Sequence, residues 1–125
     1  MTELVDKLFH KNGRKPMISH TVLENDVHLI HLNQPLHAAL ARETMQLFRD
    51  ISRQGAEKVI VNLEDVPLID SHGLAALVIG LKIFDDGKKL RLAAPQAQPR
   101  LLLELTMFDR IFQISDSVAD ARATL

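Results

Sequence analysis

The segment from Val59 to Leu81, VIVNLEDVPLIDSHGLAALVIGL, constrains this chain more than any other. It opens with Val59–Leu63, a β-branched and nearly all-apolar run. Such a run suits a central strand covered on both faces rather than one with a wet side. After a short turn comes a second apolar stretch, Leu74 to Phe84, read as a helix that stops at Asp86-Gly87. A buried strand that feeds a helix implies a sheet with helices packed on it.

The rest of the chain extends this pattern. Met17–Leu23 and Val27–Leu32 are strand-like and flank Asn25-Asp26, which predicts a β-hairpin. Asn33-Gln34-Pro35 ends the second strand. From Ala38 to Gln54 the apolar stripe Leu40, Thr44, Leu47, Phe48 and Ile51 recurs at steps of three and four, with Gly55 placed as the C-terminal cap. Leu90–Ala93 is a further strand. Pro95–Pro99 reads as a loop into a helix over Arg100–Met107, and Phe112–Ile114 as a short strand. Ser115 or Asp116 then caps a last helix that runs to about Ala123. The order β-β-α-β-α-β-α-β-α predicts an α/β domain. Its mixed sheet of four or five strands carries helices mainly on one face. Leu74, Leu77, Val78 and Leu81 recur at helical spacing and are assigned to the core. Residues 1–15 are read as an N-terminal extension with a short amphipathic helix, and residues 16–125 as the domain. The full 125 residues suit one core.

Composition narrows the function. Fifteen Lys and Arg against 16 Asp and Glu leave a net charge of −1, which argues against nucleic acid or an anionic membrane as the main partner. Cysteine is absent, and the only aromatics are five Phe, so thiolate zinc sites and stacking platforms for single strands are not expected. The N-terminus lacks the apolar core of a secretory signal, and Leu74–Leu81 is far too short to span a bilayer. A cytoplasmic protein with no membrane insertion is expected. Of the six histidines, His28 and His31 lie three apart in a strand and face opposite ways. His10, His20 and His37 show no ligand spacing, so neither a metal nor another cofactor is expected. Ser71 and His72 are adjacent at a helix start and diverge by about 100°, and no Gly-x-Ser-x-Gly elbow or glycine-rich phosphate loop occurs. No enzyme is expected. Lys88-Lys89-Leu90-Arg91 reads as a solvated strand edge.

Asp70-Ser71-His72-Gly73 then stands at the junction of turn and helix. Asp-Ser ahead of an apolar run is foremost a helix cap. The same place offers unpaired N–H groups and the positive end of a helix dipole, where a phosphate on Ser71 would be stabilised. Gly73 leaves the backbone beside it unobstructed.

The run VIVNLEDVPLIDSHGLAAL, with Asp70-Ser71-His72-Gly73-Leu74 at the head of a helix, resembles the signature of the STAS domain family, the fold of bacterial anti-sigma factor antagonists. The likeness extends to Leu36 after a polar turn, to Gly87–Leu92, to Pro99 before a helix and to Phe108–Phe112 before the last strand. It covers about residues 17–123. The resemblance implies a STAS-like fold and a partner-switching protein. Its unphosphorylated form would bind a GHKL-type serine kinase that is also an anti-sigma factor. Phosphorylation would fall on Ser71 and a phosphatase would reverse it. Asp70, Ser71, His72, Gly73, Pro35 and His37 would form the partner surface of a monomer or weak dimer. Gln34 and His37 replace the Gly and acidic residue common in the family's loop, and His72 stands where Ser, Thr or Ala is usual. The alternative implied is an accessory STAS subunit of a lipid-type ABC transporter, which binds without phosphorylation.

Overall fold

A computed structural model of the chain describes residues 17–85 and 87–125. The expected N-terminal extension and its helix lie outside the described residues, as does Asp86. The strands are β1 (Ile18–Leu23), β2 (Val27–Leu32), β3 (Lys58–Asn62), β4 (Lys89–Ala93) and β5 (Gln113–Ser115). The helices are α1 (Ala38–Arg53), α2 (Ser71–Ile83), α3 (Ala97–Leu105) and α4 (Val118–Ala123). One mixed sheet runs in the order β1-β2-β3-β4-β5. The β1–β2 hairpin is antiparallel and every later pair is parallel. The element order and mixed sheet are as the sequence predicts.

Strand β3 sits at the centre, and the period of two divides its residues between two cores. Val59 and Val61 face α1, α2 and α3 in a cluster with Ile30, Leu32, Phe48, Leu77, Leu92 and Leu103. Ile60 points the other way and meets Val27, Ala93 and Ala121 of α4. Three helices therefore cover one face and a single short helix part of the other. Thr44 is buried in α1, and its hydroxyl donates to the Leu40 carbonyl at 2.7 Å. Gly55 has φ +94° just past α1, where it ends the helix in the left-handed region. The two main helices meet closely because Gly80 has no side chain. A Cβ there would fall within 2.9 Å of three Phe48 ring atoms.

Several boundaries differ from the sequence reading. Helix α3 starts at Ala97, not Arg100, so Pro99 lies inside the first turn. Its missing N–H costs nothing there, because first-turn donors have no intrahelical partner. Helix α4 is capped by Ser117, whose Oγ accepts from the Asp120 N–H at 3.0 Å. Ser115 instead belongs to β5, and Asp116 pairs with Arg100 at 3.0 Å. Lys89 and Arg91 lie in β4, an interior strand rather than an edge, and Arg91 Nε donates to Thr124 Oγ1 at 2.8 Å. Of the four α2 residues assigned to the core only Leu77 is fully buried. Leu74, Val78 and Leu81 are half-buried on the core's margin. The buried positions of α2 are mainly small, Gly73, Ala76 and Gly80; Gly80 lets Phe48 of α1 approach, and Gly73 the Leu36 segment ahead of it.

Helix α3 stops at Leu105, and Met107 follows with φ +61°. This is the position after a helix end where Gly is favoured. Met107 is 58% exposed and packs little. Met107→Gly is expected to raise stability by about 1 kcal/mol by relieving the left-handed backbone. A rise in the thermal midpoint checks this.

His20 of β1 and His28 of β2 meet diagonally across the hairpin, ring nitrogen to ring nitrogen at 2.8 Å. Burial holds both imidazoles below their ordinary value; the neighbouring His28 adds to this for His20, and Asp26 opposes it for His28. The folded state therefore binds fewer protons than the unfolded chain once the pH falls below about 6.5. The stability of the neutral pair is present above that pH and is lost on acidification. Urea midpoints should fall between pH 7.5 and 5.5, and the His20→Asn/His28→Asn double variant should flatten the slope.

Candidate functional site

The site grows from the short extended segment between β3 and α2. Leu36 and Ile69 form an isolated parallel bridge. The Leu36 N–H donates to the Leu68 carbonyl at 2.8 Å, and the Asp70 N–H to the Leu36 carbonyl at 3.3 Å. These bonds seat the Pro35–His37 loop directly against the head of α2. All six residues singled out in the sequence therefore lie in one place, at the end of the sheet to which the parallel strands run.

Asp70 is the N-cap of α2. Its Oδ1 accepts from the N–H groups of His72 at 2.9 Å and Gly73 at 3.0 Å. These bonds, that from Gly73 foremost, hold its carboxyl below the usual carboxylate range. His72 is exposed, with Nδ1 3.5 Å from Asp70 Oδ2. Its ring leans on Asp70 rather than serving Ser71. Ser71 is the first helical residue and is exposed. Because Asp70 already takes the His72 and Gly73 donors, the helix end does not receive a Ser71 phosphate in the simple way the sequence suggests. Gly73 differs too. It is buried, and a Cβ would collide with the Leu36 carbonyl oxygen and lie 2.8 Å from Leu36 Cγ. Its role is the close approach of the 35–37 loop.

The other side of Ser71 borders an apolar groove of about 350 Å³, lined with Leu74, Ala75, Val78, Ile79 and Phe108. The sequence reading missed this surface because Leu74 and Val78 share the helical spacing of a core stripe. It also missed two glutamines at the start of α3. Gln96 Nε2 donates to the Glu64 carbonyl at 2.7 Å. Gln98 Oε1 accepts from the Ile69 N–H at 2.9 Å, and its Nε2 donates to the Ile69 carbonyl at 3.2 Å. No local motif marks side chains that bond backbone 32 and 29 residues away.

One further cluster departs from the histidine reading. His31, Glu64 and Asp65 bring potential ligand atoms within 4.8 Å of one another. His31 Nε2 is engaged by Asp65 Oδ2 at 2.7 Å and the carboxylates are exposed, so the contact reads as a surface hydrogen bond. No helix among the described residues is long and apolar enough to cross a membrane.

The STAS domain family matches residues 20–121, and the chain belongs to that family. A protein of Thermotoga maritima described as a candidate anti-sigma factor antagonist is 34% identical over 76 residues, covering 60% of this chain and 67% of the relative. A crystal structure of a Thermotoga maritima protein of the same description superposes with a TM-score of 0.80 at 28% identity, covering 92% of this chain and 97% of the other. The unphosphorylated form of the anti-sigma factor antagonist SpoIIAA shares the fold, with a TM-score of 0.69 at 15% identity over 86% of this chain and 94% of that one.

Proposed function

We propose that this chain is an anti-sigma factor antagonist that acts by phosphorylation-controlled partner switching. Its unphosphorylated form binds a GHKL-type serine kinase that doubles as an anti-sigma factor. Transfer of a phosphoryl group to Ser71 ends that complex, and a phosphatase restores it. The chain is a cytoplasmic binding module and performs no catalysis of its own. The carrying observation is the setting of Ser71: exposed, first in α2, beside a carboxylate and on the rim of an apolar groove. The described function of the Thermotoga relatives supports the same reading.

The physics is local. A partner that packs on Leu74, Ala75, Val78 and Phe108 must desolvate the Ser71 hydroxyl, which a small neutral group tolerates. A phosphate adds about −1.5 to −2 charges there. Asp70, held ionised and occupying the nearest N–H donors, repels that charge instead of absorbing it. The partner surface then comprises Asp70, Ser71, His72, Gly73, Pro35 and His37, extended by the groove residues.

The test is a pull-down from cells of the source organism with wild type, Ser71→Ala and Ser71→Asp as baits, followed by mass spectrometry of the recovered chain. A GHKL-type kinase that is retained by wild type and Ser71→Ala, lost with Ser71→Asp, and phosphorylates Ser71 in vitro is the expected result. Equal capture by all three baits with Ser71 unmodified would overturn the reading. Recovery of ABC transporter subunits instead would make the chain a transport accessory.

A further inference from the structure

We propose that Gln98 is a positioning residue for the Ser71 site, its side-chain amide standing where a third strand would otherwise bond the segment that aims Ser71. The backbone groups of this segment point alternately to two sides. On one side Leu68 O and Asp70 N–H are bonded to Leu36. On the other side Ile69 N–H and Ile69 O have no strand beside them among the described residues; both are taken by Gln98. Residue 69 is thus gripped as a strand residue is gripped, with a backbone on one flank and an amide on the other.

Only an amide of this length does the work. It donates and accepts in one plane, as a peptide group does. Leucine offers neither bond, and an ionised glutamate turns a lone pair toward a carbonyl oxygen. Ile69 is 1% exposed, so water is poorly placed to replace the lost partners. The next link is already long: Asp70 N–H reaches Leu36 O at 3.3 Å. With Ile69 released, the Asp70 backbone keeps the long bond to Leu36 O and the 2.9 Å bond its carbonyl accepts from the Leu74 N–H, so the angles that aim Oδ1 at the His72 and Gly73 donors are fixed only from the loop and helix sides. The position of Ser71, one residue further, is set by that cap. Gln96 acts in parallel on Glu64, so the start of α3 holds the β3–α2 connection at two points.

The inference takes its functional meaning from Ser71 as the switch, but its test uses no kinase and stands or falls separately. In the full chain, NMR would follow the Asp70 carboxyl titration and the hydrogen exchange of the Ile69, His72 and Gly73 amides, with Ile60 of β3 as the internal reference. In Gln98→Leu the Asp70 carboxyl is expected to move up toward the ordinary carboxylate range. Exchange at the three amides should quicken about tenfold or more while Ile60 is unchanged. Gln98→Glu, which keeps length and one acceptor, guards against a variant that fails to fold. At neutral pH its second carboxylate oxygen faces the Ile69 carbonyl oxygen in place of the Nε2 donor, and this repulsion should push the side chain away and leave the Ile69 amide poorly protected; protection should return when acid converts the carboxylate to a group with one donor and one acceptor. A merely structural role would lower the unfolding midpoint and leave the Asp70 titration and relative exchange as in wild type. That outcome, or the absence of acid rescue in Gln98→Glu, overturns the proposal.

Discussion

Gly73→Ala should cost about 2–3 kcal/mol, far more than an alanine normally costs inside a helix. Helix propensity alone predicts the opposite sign, since alanine is the better helix former by about 1 kcal/mol. Packing decides the outcome. The new methyl would overlap the Leu36 carbonyl oxygen, with Leu36 Cγ at 2.8 Å and Ile69 Cγ2 at 3.1 Å. The nearest obstacle is backbone, so no side-chain rotation relieves it. The 35–37 loop must retreat, and with it go the Leu36–Leu68 and Leu36–Asp70 hydrogen bonds that seat the site. Chemical denaturation would measure the loss. Ser71→Ala, one turn edge away and exposed, should stay within about 0.5 kcal/mol of wild type. If Gly73→Ala is neutral or stabilising, the close approach of loop and helix is not what the residue provides.

Phosphorylation of Ser71 should weaken kinase-partner binding by about a hundredfold or more, because an unpaired charge desolvated at an interface costs several kcal/mol. Ser71→Asp carries one charge on a shorter arm and should show a smaller loss; Ser71→Ala should bind as wild type and fail to switch. Salt separates the two ways charge can act. Long-range repulsion fades when the screening length shrinks to about 3 Å at 1 M ionic strength. A charge placed in a dry contact does not. Titration calorimetry of the phosphorylated chain at low and high salt should therefore show the loss persisting. The chain's net charge of −1 makes the modification large in proportion, but the local change carries the effect. Recovery of full affinity in high salt would sink the contact mechanism.

How much of this was legible varies with distance along the chain. The hairpin, α1 and β3 follow from turns and periodicity within short windows. Asp70 as the N-cap was legible for the same reason: cap and donors lie two and three residues apart. Leu74 and Val78 do pack on the core's margin as the helical stripe implies, but a stripe at steps of three and four does not show that their outer side borders a groove. The face where α2 meets α1 is set by Gly80 against Phe48, and smallness leaves no hydropathy signal. The α3 start lies three residues before the sequence reading and the α4 cap one or two residues after it, where Gln96 and Ser117 competed with stronger-looking breakers such as Pro99 and Asp116.

Local chemistry in the 59–81 segment was enough to require a covered strand, a capped helix and a serine at its head. Those are short-range consequences of side-chain shape and hydrogen bonding. What Ser71 faces came only from chain closure. Leu36 arrives from 34 residues before Asp70, Gln98 from 29 residues after Ile69, and Phe108 from still further on. No pattern in the sequence encodes such meetings, because each depends on where the parallel strands set the ends of their helices. Folding turns a common helix start into a serine held between a backbone bridge, a carboxylate and an apolar groove.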